Sequence, residues 1–273
     1  MQNLSLLAVT LLRYLSSFEA CLIEPCLLNG KRALVTGAGS RLGQTIAVAL
    51  GEQGVRVAVH FHSHHDGALD TVRQIEAAGG QGHSLAANLS SRDDARKMVD
   101  DAITILGGLD LLVASAANFE ATTFDTIDDA AWDRTLNLNL ASPFAIAQRA
   151  TPALRSSKGN IVFITCASVL APFRGHLPYV VAKAGLYQMM RGMALDLAPD
   201  VRVNAVAPGM VLPPDDMSES QINHIVRHIP LRRVGSVDDV SRAVIFLASS
   251  SYVTGEQIVV DGGRSLARFP DSA

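Results

Sequence analysis

The sequence predicts a single doubly wound α/β domain, with a parallel seven-stranded sheet flanked by helices. Two observations predict it. Short apolar runs alternate with longer segments of helical periodicity from Lys31 onward, and no linker breaks the alternation. A chain of 273 residues with 48% hydrophobic content is also large enough to bury one sizeable core.

The strands come first. Ala33–Val35, Val55–Val59, Leu85–Ala86, Leu111–Ala114, Ile161–Ile164, Val201–Val206 and Gln257–Val260 are apolar along their length rather than alternating, as strands covered on both faces must be. Between them lie Leu42–Leu50, Ala68–Ala78, Asp93–Ile105, Ala131–Leu154, Tyr179–Leu197 and Val237–Ala248, whose apolar residues recur at three- and four-residue spacing. Each is expected to be one helix. Met210–Arg233, with Pro213, Pro214 and Pro230, fits neither pattern and is expected to be a long connection of the kind that forms lids.

The ends of the chain are set apart. Met1–Gly30 is expected to be a loosely attached extension with a short amphipathic helix. Arg13 interrupts the apolar run Leu4–Leu12 and no basic residue precedes it, unlike a signal peptide, and the run is shorter than the ~20 residues that cross a bilayer. The catalytic domain is expected over 31–267, with 268–273 as a tail. A net charge of −3 without a long basic run removes the electrostatic reason to expect nucleic acid or an anionic membrane as partner. A small molecule is expected instead. Three cysteines form no closed disulfide framework, and Cys21 and Cys26 lack a second ligand pair for zinc, so a reducing cytoplasm fits.

In such a fold ligands gather at the carboxyl ends of the strands. The first strand runs into Thr36-Gly37-Ala38-Gly39-Ser40-Arg41-Leu42-Gly43 and a helix, so backbone N–H groups and the positive end of a helix dipole meet there and suit a phosphate. The spacing is not that of the Rossmann dinucleotide fingerprint, and tight packing alone would also produce a glycine turn. The second strand ends in His60-Phe61-His62-Ser63-His64, where an NAD enzyme places a carboxylate for the ribose hydroxyls. Imidazoles, hydroxyls and Arg41 suit a 2′-phosphate through charge-assisted hydrogen bonds, which favours NADP(H). His60, His62 and His64 on one strand face are also a candidate metal site, but a phosphate neighbour explains them without an ion, and no metal is expected. Tyr179 and Lys183, four apart in a helical stretch, share a face. A nearby ammonium is expected to lower the phenol's pKa and make it a general acid.

With these motifs, Asn139 within Leu136–Leu140, Pro208-Gly209, Thr254-Gly255 and Asp261-Gly262-Gly263, the chain resembles the short-chain dehydrogenase/reductase family over about 31–267. Arg41 in place of the usual middle glycine, the histidine-rich strand end and Phe119 resemble the pteridine reductase branch most. The resemblance implies a catalytic group of Asn139, Cys166, Tyr179 and Lys183. Tyr179 would donate the proton, Lys183 would tune it and hold the nicotinamide ribose, and Asn139 would anchor a water that relays protons to Lys183. Cofactor contacts are expected from Gly37, Ser40, Arg41, Leu42, His60, Phe61, His62, Asn88, Leu89, Ser115, Ala116, Tyr179, Lys183, Pro208 and Gly209. Phe119 and Ser168 are assigned to substrate, although Phe119 suits core packing as well, and Arg174 and His176 face either substrate or solvent.

Three departures stand out. Cys166 occupies the place of the usual serine or aspartate, and a thiol donates weakly. Ser168 would face the same side in an extended chain and could take over. Ala114-Ser115-Ala116-Ala117 replaces Asn-Asn-Ala-Gly, and Asn88 replaces an aspartate. The resulting expectation is an NADPH-dependent reductase of a C=O or C=N bond in a small planar substrate, a pterin among them. The alternatives are a 3-oxoacyl thioester, sugar or steroid carbonyl reductase, and a sensor that binds NADP without turnover. The family resemblance implies a homo-oligomer, a tetramer or dimer.

Overall fold

The computed structural model describes residues 27–213 and 217–267. All strands are parallel, in the order β3-β2-β1-β4-β5-β6-β7. They are β1 Arg32–Val35, β2 Arg56–Phe61, β3 Gln81–Ala86, β4 Leu111–Ala114, β5 Asn160–Ile164, β6 Arg202–Pro208 and β7 Gln257–Val260. The helices are α1 Arg41–Glu52, α2 His65–Ala77, α3 Arg92–Leu106, α4 Asp129–Leu136, α5 Ser142–Ser157, α6 Leu177–Leu197, α7 Glu219–Arg227 and α8 Val237–Ser249. The predicted fold is the one observed. The order reverses between β1 and β4, the place where sheets of this kind bind ligands beyond the carboxyl ends of their strands.

Two apolar layers bury the sheet. One contains Val35, Val57, Ile46, Leu50 and Val244. The other contains Leu34, Met98, Leu112, Leu154, Phe163, Leu186 and Met190. Leu28 is buried in the first layer, and the Gly30 N–H donates to the Gly54 carbonyl at 2.9 Å, so residues 28–30 pack with the domain rather than outside it. Residues 1–26 of the expected extension and the tail 268–273 lie outside the described residues.

Three local readings change. β3 starts at Gln81, well before Leu85, because this edge strand alternates exposed and covered residues and offers no continuous apolar run. The single helix expected over Ala131–Leu154 is α4 and α5 joined by a π-helical turn, Asn137–Ala141, and such turns concentrate at functional sites. The Met210–Arg233 connection contains α7, started by a capping box in which Ser218 and Gln221 satisfy each other's backbone N–H groups.

Leu112 is fully buried in β4 between β1 and β5. Leu112→Ala is expected to cost about 2–5 kcal/mol in urea unfolding, with the fold retained.

Candidate active site

The glycine turn is built by close contact. Gly37 has φ +68°, and a Cβ there would lie 2.9 Å from the Ala116 Cα; a Cβ on Gly43 would lie 2.2 Å from the Gly37 carbonyl oxygen. Neither position accepts a side chain. Thr36 ties the turn to β4: its N–H donates to the Val113 carbonyl, and its Oγ1 accepts from the Ser115 N–H at 3.0 Å and the Ala116 N–H at 3.1 Å. This hydroxyl makes the cross-strand bridge that Ala114 and Ser115 side chains do not. Ser40 precedes α1 in extended conformation and its side chain caps nothing, so the first N–H groups of the helix have no carbonyl ahead of them. Arg41 has φ +52°, a conformation that suits glycine, and its guanidinium reaches across to the Leu212 carbonyl at 3.4 Å. Leu42 packs against the first apolar layer.

The histidines separate. His60 is buried: Nδ1 accepts the Gly37 N–H at 3.0 Å, and Nε2 lies 3.3 Å from the Ala87 carbonyl, to which it donates. Desolvation lowers its pKa to about 4, partly offset by the Ala87 carbonyl and reinforced by His62. A neutral imidazole with both nitrogens engaged is no 2′-phosphate ligand, so that role, expected of His60, is corrected to holding the turn. It also removes His60 from any metal site, and among the described residues no three His, Cys, Asp or Glu side chains group around a common point. Phe61 is buried with its ring edge-on to His65 at 5.5 Å. His62, Ser63 and His64 are exposed beside the turn. On the far side, Asn88 is exposed with its Oδ1 accepting from the Ser90 N–H, whereas Leu89 is buried in the core and offers a ligand only backbone.

Tyr179 and Lys183, on the first turns of α6, face the ends of β4 and β5. The Lys183 ammonium is 2% exposed, donates to the Ile164 carbonyl at 2.8 Å and lies 5.5 Å from the centre of the Tyr179 ring. Burial lowers its pKa to about 8, against a smaller opposing effect of Cys166. Tyr179 moves against expectation. Its pKa is raised well above the ordinary value, first by burial, then by the charge of Cys166 and a hydrogen bond to its sulfur. The phenol is therefore held protonated, and the ammonium is the group poised near neutrality. Cys166 is half-exposed beside Tyr179. Ser168 does not replace it: Ala167–Val169 turns into a 3-10 helix, strand alternation ends, and Ser168 is buried with no partner for its hydroxyl.

Asn139, in the π-helical turn, is fully buried; its Nδ2 donates to the Thr135 carbonyl at 3.0 Å and to the side chain of Asn118, while its Oδ1 has no protein partner. An aromatic wall stands over Tyr179. Phe119, half-exposed, stacks on His176 at 3.9 Å and meets the Tyr179 ring edge-on at 4.8 Å, with Phe173 at the side of both Phe119 and His176. The loop of Phe119 is joined to that of His176 by the Thr122 N–H to the Gly175 carbonyl at 2.7 Å. Pro208 ends β6, and Gly209 is required by packing, since a Cβ would lie 2.6 Å from the Asp261 Cβ. A cleft of about 530 Å³ opens there, lined by Met210, Pro230, Leu231 and Gly262.

Residues 37–265 match the family model described as enoyl-(acyl carrier protein) reductase. The chain belongs to the short-chain dehydrogenase/reductase family. Among relatives of this family, the 3-oxoacyl-[acyl-carrier-protein] reductase of Staphylococcus epidermidis is 33% identical over 85% of this chain and 98% of its own length. The structure of a 7α-hydroxysteroid dehydrogenase with NADH and 7-oxo glycochenodeoxycholic acid matches with a TM-score of 0.84 at 30% identity, over 88% of this chain and 97% of that one. A blue fluorescent protein from a metagenomic library, in complex with NADPH, matches with a TM-score of 0.81 at 32% identity, over 87% and 98%.

The narrower resemblance to pteridine reductases finds no support in these relatives. One face of the Phe119 ring is covered by His176, so only its other face could meet a substrate. Sequence reading missed Thr36, Asn118 and Phe173. Thr36 opens the glycine turn and could have been found from its place there; Asn118 and Phe173 carry no spacing signal.

For a short-chain dehydrogenase/reductase, a Lys183 pKa of about 8 means that the ammonium is charged below that pH and neutral above it. The kcat/KM of carbonyl reduction is expected to fall above about pH 8 with one ionisation, and Lys183→Arg, whose residual activity cannot lose that charge, is expected to lack this limb.

Proposed function

We propose that this oxidoreductase reduces a ketone, or oxidises the matching secondary alcohol, with NADP(H) as its cofactor. The observation that carries the reading is the trio of a protonated Tyr179, a buried Lys183 ammonium and Cys166, placed at the carboxyl edge of the sheet beside the glycine turn. The residues fit a dinucleotide. Gly37 and Gly43 leave a cradle without side chains, and the open end of α1 suits a pyrophosphate. Arg41 and His62 suit a 2′-phosphate, and no carboxylate occurs from the end of β2 until Asp66, which meets His65 at 3.4 Å.

A nicotinamide bound here would supply the hydride. The chain supplies the proton and the placement. Tyr179 donates its hydroxyl proton to the carbonyl oxygen as negative charge develops there, and a phenol held neutral by burial is loaded for that direction. Lys183 offers the positive charge that stabilises the resulting phenolate, and Asn139 anchors the water through which the proton is replaced. Cys166, beside the phenol, contributes a weak hydrogen bond where a hydroxyl would give a stronger one. The aromatic wall favours a substrate with an apolar body, and a steroid or acyl ketone suits it better than a pterin. The homo-oligomer implied by the family remains part of the proposal.

A panel of ring ketones, 3-oxoacyl thioesters and pterins, followed by NADPH oxidation, tests this reading. Turnover of a ketone, loss of turnover by at least about 10²-fold in Tyr179→Phe with NADPH binding retained, and a faster Cys166→Ser enzyme are expected. Turnover of pterins alone, or full activity of Tyr179→Phe, would overturn it. Arg41→Ala is expected to weaken NADPH binding about 10-fold to 100-fold and NADH binding little, as loss of one charged hydrogen bond predicts. Equal effects on both would remove the 2′-phosphate role.

A further inference from the structure

Asn139 owes its orientation to a line of polar groups that runs to the surface. Its Nδ2 donates to the Oδ1 of Asn118; the Nδ2 of Asn118 donates to Oε1 of Glu120 at 3.0 Å; and Oε2 of Glu120 lies 3.3 Å from Arg134. Donor and acceptor roles along this line are not interchangeable. A guanidinium only donates, and the carboxylate beside it only accepts. Asn118 must therefore turn its amide nitrogen towards Glu120 and its oxygen inward. Asn139, facing that oxygen, must in turn present its nitrogen, which also reaches the Thr135 and Asn118 carbonyls at 3.0 and 3.3 Å. What remains is the Asn139 Oδ1, buried and without a protein partner, whereas a flipped amide would point two donors away from three acceptors.

We propose that Asn118, itself oriented by Glu120, is a positioning residue that fixes the amide of Asn139 so that its Oδ1 stays open to accept a hydrogen bond from the relay water. The proposal rests on the reductase reading above for the meaning of that water, but not for the orientation itself. Glu120 serves the neighbouring wall as well, because its backbone carbonyl accepts from Nδ1 of His176 at 2.9 Å. One short segment, 118–120, thus holds both the relay residue and the loop that leads into Tyr179.

The test compares Asn118→Leu, which removes the inward side-chain acceptor, with the double variant Asn118→Asp/Glu120→Gln, in which the glutamine amide donates to the aspartate, its oxygen still accepts from Arg134, and the aspartate still accepts from Asn139. With NADPH and a ketone that the wild-type enzyme reduces, Asn118→Leu is expected to lose kcat about tenfold or more, because well-placed proton transfer contributes roughly 10²–10⁴. KM for NADPH is expected to stay within about twofold, since no cofactor contact changes. The solvent deuterium effect on kcat should rise while the effect of deuterated nicotinamide falls. Asn118→Asp/Glu120→Gln should stay near wild type, and Glu120→Met should move in the direction of Asn118→Leu. A kcat in Asn118→Leu within twofold of wild type, or an Asn118→Asp/Glu120→Gln enzyme as slow as Asn118→Leu, would overturn the proposal.

A second measurement needs no turnover. The side-chain amide protons of Asn139, followed by NMR in the full chain, should exchange slowly in wild type and Asn118→Asp/Glu120→Gln and much faster in Asn118→Leu. Equal exchange in all three would refute the orienting role even in an active enzyme. Slow exchange in wild type with no ketone turned over would refute the reductase reading and leave the orientation standing.

Discussion

Burying the Lys183 ammonium is the constraint around which the site is arranged. A charge removed from water is costly unless it is bonded, and this one has the Ile164 carbonyl and the Cys166 side chain near it. Burial lowers its pKa, and the same burial raises that of Tyr179, so the two groups are pushed apart on the pH scale, with the ammonium titrating below the phenol. In the proposed mechanism the phenol would keep its proton until a substrate oxygen demands it. The ammonium can give up its own at modest cost, which is what a group that refills the phenol needs. The simple picture of a cation lowering a neighbouring phenol's pKa leaves out desolvation, which acts on both and dominates here.

The fold supplies the place for this pair. Strand order reverses between β1 and β4, so the loops leaving these strands diverge, and sheets of this kind hold their ligands between such loops. Packing here is tight enough to dictate composition. Gly37 and Gly43 exclude a Cβ by backbone contacts at 2.9 and 2.2 Å, and Thr36 and His60 satisfy the N–H groups that the turn would otherwise leave unpaired. A histidine in such a role is useful only while neutral, and burial keeps it so.

Much of this was legible in the sequence, and the failures have a common cause. Buried parallel strands announce themselves as apolar runs, so β4 was bounded correctly from Leu111–Ala114 alone, and the half-buried edge strand β7 from Gln257–Val260. Tyr179 and Lys183 were paired by helical spacing, which local geometry guarantees. What could not be read depends on contacts between distant segments or on local winding. His60 looked like a surface ligand because periodicity cannot say which face of a strand end is covered by a neighbouring turn. Ser168 looked equivalent to Cys166 because alternation was extended past the point where the strand stops. The π-helical turn at Asn139 adds one residue to a helical turn without any change in composition.

In the proposed reductase, the aromatic wall would decide more about substrate than the Tyr179–Lys183 pair can. Tyr179 and Lys183 would serve any carbonyl, whereas the Phe119 and His176 rings form a preassembled stack with Phe173 at its side, held by the 2.9 Å bond from His176 to the Glu120 carbonyl. A stack already made inside the protein gains little by opening to admit a second polar ring between its members. It gains more by covering hydrocarbon against its remaining apolar edge, at roughly 25 cal/mol for each Å² removed from water. A flat, polar heterocycle brings hydrogen-bonding groups that this wall cannot satisfy, and an unsatisfied polar group costs about 1–3 kcal/mol. On the proposed reading, selection for an apolar ketone would follow from what the wall lacks as much as from what it offers.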